Sequence, residues 1–158
     1  MIKITVICVG KIKETDFAAA IGEYEKRLCA FCSLQTEEIK PEPLPENPSA
    51  ALIAAAKAKE GAAIAAKIPK GAAVFPLCVK GKRFTSEEFS ACLAGHINEG
   101  KNLCFIIGGS HGLDKSIEKT GTPVSFSDMT FPHRLFRVML LEQIYRAFTI
   151  IAGKKYHK

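Results

Sequence analysis

The chain has 158 residues, enough for one domain with a sizeable core, and is 47% hydrophobic and 24% charged. Those proportions are ordinary for a soluble globular protein and exclude a disordered or low-complexity chain. The formal charge of +6 and the pI of about 9.0 favour a polyanionic partner, though a basic balance alone does not name one.

Lys3 interrupts the apolar N terminus and no cleavage-type pattern follows, so no secretory leader is expected. The longest apolar region, residues 135–151, carries Arg137, Glu142 and Arg146, which argues against a membrane span. Of the six cysteines, Cys8, Cys78 and Cys104 fall in expected strands, where a thiol acts as a small hydrophobe. A chain this rich in core residues does not need disulfide staples, so a reduced, cytoplasmic protein is expected. Cys29-Ala-Phe-Cys32 matches C-x-x-C, but it has no second pair and no histidine at ligand spacing. It reads as a coincidence at a helix end, and no metal is expected.

The β-branched run Ile2–Val9 reads as a first strand. Residues 14–31 place Phe17, Ile21, Tyr24, Leu28 and Phe31 at helical spacing. Residues 34–39 read as a second strand. Four prolines in residues 41–48 then forbid regular structure. Ser49 caps an alanine-rich helix over residues 50–67, and residues 73–79 form a third strand. Thr85 and Glu88 fit a capping box opening the next helix, with Phe89, Leu93 and Ile97 buried and His96 solvated. Leu103–Ile107 is a fourth strand, residues 114–120 a short helix, and residues 124–126 a fifth strand. Pro132 starts a long helix that stops at Gly153. Its polar residues Arg134, Glu142, Arg146 and Thr149 share one stripe, leaving a broader apolar surface than one sheet face needs. A second subunit is expected to cover part of it. Alternating strands and helices predict an α/β fold with a mostly parallel sheet and helices on both faces, a single domain over residues 1–158.

Two strand-like segments end in loops close together, at Gly108-Gly109-Ser110-His111-Gly112 and at residues 127–131. Ligands of open α/β sheets bind beyond the carboxyl ends of the strands, so the two loops are expected to share a pocket. The glycine loop satisfies G-x-S-x-G, and Ser110, Asp128 and His133 occur in hydrolase order. A serine hydrolase built on Ser110 is therefore one reading. It is weakened by the small sheet, the late helix and the closeness of Asp128 to His133. Glycines that let the backbone approach a ligand are another. The histidines His96, His111, His133 and His157 show no metal-ligand spacing.

The run Phe126-Ser127-Asp128-Met129-Thr130-Phe131-Pro132-His133 becomes specific when joined to Arg137, Glu142-Gln143, Tyr145-Arg146-Ala147-Phe148 and the ending Tyr156-His157-Lys158. With Phe105-Ile106-Ile107-Gly108-Gly109, it resembles the RlmH (YbeA-type) family of ribosomal RNA large-subunit methyltransferases over essentially the whole chain. The resemblance implies a SPOUT fold with a C-terminal deep trefoil knot, a homodimer, and methyl transfer from S-adenosylmethionine to N3 of a pseudouridine in a 23S rRNA stem-loop of the assembled ribosome. It implies cofactor contacts at Leu77, Gly108, Phe126, Ser127, Asp128, Met129, Thr130 and Phe131. By chemistry and position, His157, Tyr156 and His133 are candidates for removing the N3 proton. Arg134, Arg137, Lys154, Lys155 and Lys158 are candidates for holding RNA phosphates, with a buried ion pair across a dimer as the other reading of Arg137. Beside the methyltransferase, the resemblance leaves a non-enzymatic ribosome-binding protein using this basic tail as a further alternative.

Overall fold

The computed structural model describes residues 1–156. The expected contacts of His157 and Lys158 therefore lie outside the described residues. Five strands, β1 (Ile2–Val9), β2 (Cys32–Ile39), β3 (Ala73–Arg83), β4 (Leu103–Ile107) and β5 (Val124–Ser125), form one sheet in the order β2-β1-β4-β3-β5. Every pairing is parallel. The helices are α1 (Thr15–Leu28), α2 (Ala50–Ala65), α3 (Ser86–Asn98), α4 (Lys115–Glu118) and α5 (His133–Ile151).

A parallel sheet is covered on both faces, so its middle strand, β4, is apolar throughout. β4 is buried at all five positions. Alternate residues serve opposite faces. Ile4, Val6, Phe75, Leu103 and Phe105 join the core beneath α1, α3 and α5, together with Leu28, Phe89, Leu93, Leu140 and Ile144. Ile7, Val9, Val74, Cys104 and Ile106 face α2 and α4, meeting Ile64 and Ile117. Phe75 stacks on Phe105 at 5.1 Å between ring centres, at the middle of the larger core. Fully burying each such ring stabilises the fold by about 1.5–3 kcal/mol.

Several boundaries depart from the sequence reading. α1 stops at Leu28, because Cys32 is already paired with Ile2 as the first residue of β2. Phe31 then leaves the helical face and packs on Tyr145 and Phe148. β3 runs four residues beyond Val79, through the polar Lys80-Gly-Lys-Arg83. There it leaves β4 and pairs with β5, at Lys82 with Val124 and Arg83 with Ser125. Gly81 permits this: a Cβ there would lie 2.5 Å from the Val124 carbonyl carbon. Residues 114–120 contract to α4, with Asp114 as its cap. Pro132 is likewise the cap of α5 rather than its first residue.

Two side chains of the helices are also more buried than expected. Thr149 is 1% exposed, and its hydroxyl donates to the Arg146 carbonyl at 2.7 Å, so it does not continue the polar stripe of α5. His96 packs edge-on against Phe75 at 5.6 Å rather than standing in solvent. The capping box of α3 forms as expected, with the Thr85 hydroxyl accepting from the Glu88 amide and the Glu88 carboxylate accepting from the Thr85 amide.

Candidate active site

The carboxyl ends of β3, β4 and β5 open into one cavity of about 780 Å³. That size suits a cofactor or small ligand. Leu77 and Ile107, paired across β3 and β4, form its floor. Gly108, Gly109 and Ser110 form one wall, and Phe126, Ser127, Met129, Thr130 and Phe131 form another. The two loops expected to share a pocket therefore do so, with Leu77 between them.

Each wall has a local cause. After β4 the chain turns tightly, the Gly112 amide donating to the Gly109 carbonyl at 3.0 Å with Gly112 at a φ of +79°. A Cβ on Gly108 would fall 2.7 Å from the Gly112 carbonyl carbon, so this position excludes any side chain. In the second loop the Ser125 hydroxyl donates to the Ser127 carbonyl and the Ser127 hydroxyl accepts from the Met129 amide, both at 3.0 Å. Phe126 and Phe131 both lie against Phe136 of α5, at 4.8 and 6.2 Å between ring centres. These rings fasten the loop to the first turns of the long helix.

Asp128 departs from its expected place. It does not line the cavity; its carboxylate is 79% exposed and forms an ion pair with Arg83 at the end of β3. His133 does line it. Tyr156 lies elsewhere, its hydroxyl donating to Glu142 at 3.3 Å and its ring packed on Tyr145 beneath Arg146. Within one chain the cavity thus receives His133 but not Tyr156.

The expected phosphate-binding cations divide. Arg137 is 7% exposed, and its guanidinium donates to Glu38 of β2 at 3.0 Å. The anticipated buried ion pair exists, but within the chain rather than across a dimer. Arg134 forms an ion pair with Glu14. Lys154 is exposed, with its ammonium 4.7 Å over the Phe31 ring, and Lys155 is exposed.

The cavity also contains residues the sequence reading missed: Lys57, Cys78, Val79, Lys80, Lys115 and Glu118. Lys115 and Glu118 sit three apart in the helix that follows the glycine loop, a spacing that was available as a signal. Lys57 comes from α2, well before the glycine loop in the chain, and only tertiary packing brings it here. Burial pushes the Cys78 thiol up; the Glu118 charge adds to this, and the Gly81 and Lys80 amides oppose it. A thiol so raised stays protonated and is a poor nucleophile.

The hydrolase reading loses its geometry. A nucleophile elbow holds its serine in a strained turn directly before a helix. Among the described residues no residue other than glycine has a positive φ, and α4 begins only at Lys115. Asp128 is engaged by Arg83. Among the described residues no helix is long and apolar enough to cross a membrane.

Residues 2–157 match a family model described as "Predicted SPOUT methyltransferase". The chain is 48% identical over 161 residues to a protein of Clostridium beijerinckii called ribosomal RNA large subunit methyltransferase H, covering 98% of this chain and 99% of that one. Proteins of the same name from Clostridium botulinum strain Langeland and from Bifidobacterium animalis subsp. lactis are each 46% identical over 157 residues, with the same coverage. Full-length similarity at this level, on a chain whose glycine and phenylalanine loops wall one cavity, decides the matter: the chain belongs to the SPOUT methyltransferase family, among the ribosomal RNA large subunit methyltransferases H.

Proposed function

We propose that this protein transfers a methyl group from S-adenosylmethionine to N3 of a pseudouridine in a 23S rRNA stem-loop, on the assembled ribosome. The observation that carries the reading is that one cavity is walled by Leu77, Gly108, Phe126, Ser127, Met129, Thr130 and Phe131. Its residues fit the cofactor. Leu77, Val79, Ile107, Leu113 and Phe126 offer apolar surface for a flat adenine, and exposed loop backbone can satisfy its edge. Lys57, Lys80, Lys115 and Glu118 supply both signs of charge, as a zwitterionic amino-acid tail requires.

When bound, the cofactor supplies a methyl carbon on a sulfonium, which is already a good leaving group. The protein therefore needs no covalent intermediate; its task is alignment and removal of the N3 proton. His133, on the cavity wall, is the candidate in reach within one chain. Tyr156 and His157 remain candidates through the C-terminal tail. The exposed Lys154 and Lys155, with Lys158, would position RNA phosphates. Arg134 and Arg137, held by Glu14 and Glu38, would act mainly by supporting the fold.

The same family reading extends to a single-domain cytoplasmic homodimer whose C-terminal segment is threaded as a deep trefoil knot, acting without a metal. The half-buried apolar residues Val138, Met139 and Ile150 and the exposed Leu135 and Ile151 on α5 support the dimer.

Mass mapping of 23S rRNA nucleotides tests the function. Cells lacking this protein are expected to lose one methyl group on one pseudouridine, restored by the wild-type gene. An unchanged methylation map, or no S-adenosylmethionine binding by calorimetry at millimolar cofactor, would reject it.

A further inference from the structure

The glycine loop divides the carboxyl edge of the sheet. On its far side lies a narrower cleft of about 90 Å³, between the end of β1, the proline-rich strap and α2. Its scale is that of one heterocyclic ring rather than of a nucleoside. Lys57, Gly109, Ser110 and His133 line both spaces, so the two adjoin along that seam. Val9, Pro41, Leu44 and Ile53 give the cleft apolar walls.

Its acidic members are Glu42 and Glu60. Glu60 is the one whose carboxylate is placed by a bond across the cleft. One of its oxygens, Oε1, accepts the Glu42 amide at 3.0 Å and ties the strap to α2. The other, Oε2, faces the glycine loop, 3.9 Å from where a Cβ on Gly109 would stand. Lys57, one helical turn earlier, adds a donor.

We propose that this cleft receives the target base and that Glu60 Oε2 accepts the N1–H of pseudouridine, making Glu60 the residue that selects pseudouridine over uridine. The inference rests on the methyltransferase reading above. Pseudouridine is joined to its ribose through C5, so its ring carries N–H groups at both N1 and N3. Uridine has a C–H where pseudouridine has N1–H. A carboxylate oxygen accepts from the first and is left unpaired against the second, and an unpaired polar group is costly where water is excluded. N1 and N3 are separated by a single carbonyl carbon. A ring held at N1 by Glu60 can therefore turn N3 toward the seam, and Lys57 can donate to a ring carbonyl. The apolar walls exclude water from the ring faces. A site built to bond an N–H rejects the analogue lacking it far better than an apolar slot could.

The test compares kcat/KM on ribosomes carrying pseudouridine or uridine at the target nucleotide. The wild type is expected to prefer pseudouridine by at least about tenfold. Glu60→Gln keeps the shape and can still accept the Glu42 amide, but it turns an N–H2 toward the base. It is expected to cut the pseudouridine rate by about tenfold or more, to change the uridine rate by less than about threefold, and to leave S-adenosylmethionine affinity unchanged. An unaltered preference in this variant, or no preference in the wild type, overturns the role of Glu60. Ile53→Trp fills the cleft from its half-buried rim. It is expected to lower methylation of both substrates by about tenfold or more at constant cofactor affinity; full activity would overturn the cleft as the base site. A wild type that binds no S-adenosylmethionine and methylates neither substrate overturns the underlying function instead, so the two failures are distinct.

Discussion

Arg137 shows how one residue can carry two plausible roles until its surroundings are known. In a basic chain it reads as a phosphate ligand, yet its guanidinium is buried against Glu38. Arg137→Ala leaves Glu38 without its partner beneath α5. Removing one member of a fully buried pair costs about 3–5 kcal/mol; with Glu38 32% exposed and able to hydrate, about 2 kcal/mol is expected. Urea unfolding measures it, and cofactor affinity of the folded variant should stay near the wild-type value. The cysteines make a related point. Burial pushes the Cys8 and Cys32 thiols up to about 11 and Cys104 to about 12, in each case chiefly by desolvation. Cys29 and Cys32 are not a matched pair: the first is exposed at the end of α1 and the second is buried at the start of β2. Their thiols donate to the Glu25 and Leu28 carbonyls respectively.

At the scale of elements, two devices shape the cavity and differ in strength. Gly108 is sterically locked against the Gly112 and Leu113 backbone. The Arg83–Asp128 pair tethers the second loop, but its side chains are 58% and 79% exposed. Exposed pairs contribute about 0–1 kcal/mol. Arg83→Ala should therefore weaken S-adenosylmethionine binding by no more than about fivefold. Gly108→Ala must displace backbone at the cavity wall and should weaken it by about tenfold or more. Calorimetry on both variants checks the order, and an Arg83→Ala loss exceeding that of Gly108→Ala would contradict it. The extension of β3 through Lys80-Gly-Lys-Arg83 belongs to the same scale. Its polar residues gave no strand signal, because the pairing with β5 depends on a glycine that lets two backbones meet.

For the whole molecule, α5 is the organising element, packed against both α1 and α3 while keeping apolar surface toward solvent. If a second copy covers that surface, Leu135→Glu buries a carboxylate at the interface. The wild type should then behave as a dimer by light scattering, and Leu135→Glu as a monomer at micromolar concentration. Unchanged mass in the variant would place the interface elsewhere. Leu135 is 37% exposed in the single chain, so the change itself should leave the fold of each subunit standing.

Much of the architecture was legible from local pattern alone. The β-branched runs at β1 and β4, the helical spacing in α1 and α5, and the capping box of α3 all depend on neighbours within a few residues. The pairing of the glycine loop with residues 126–131 was legible too, because parallel strands deliver their following loops to one edge. Local pattern could not place Lys57 and Glu60 of α2 beside the loop after β4, nor pair Arg137 with a glutamate ninety-nine residues away. It could not separate Tyr156 from the cavity or turn Asp128 toward Arg83. Those outcomes follow from how helices dock on a finished sheet, where partners are set by distance in space and not by spacing along the chain.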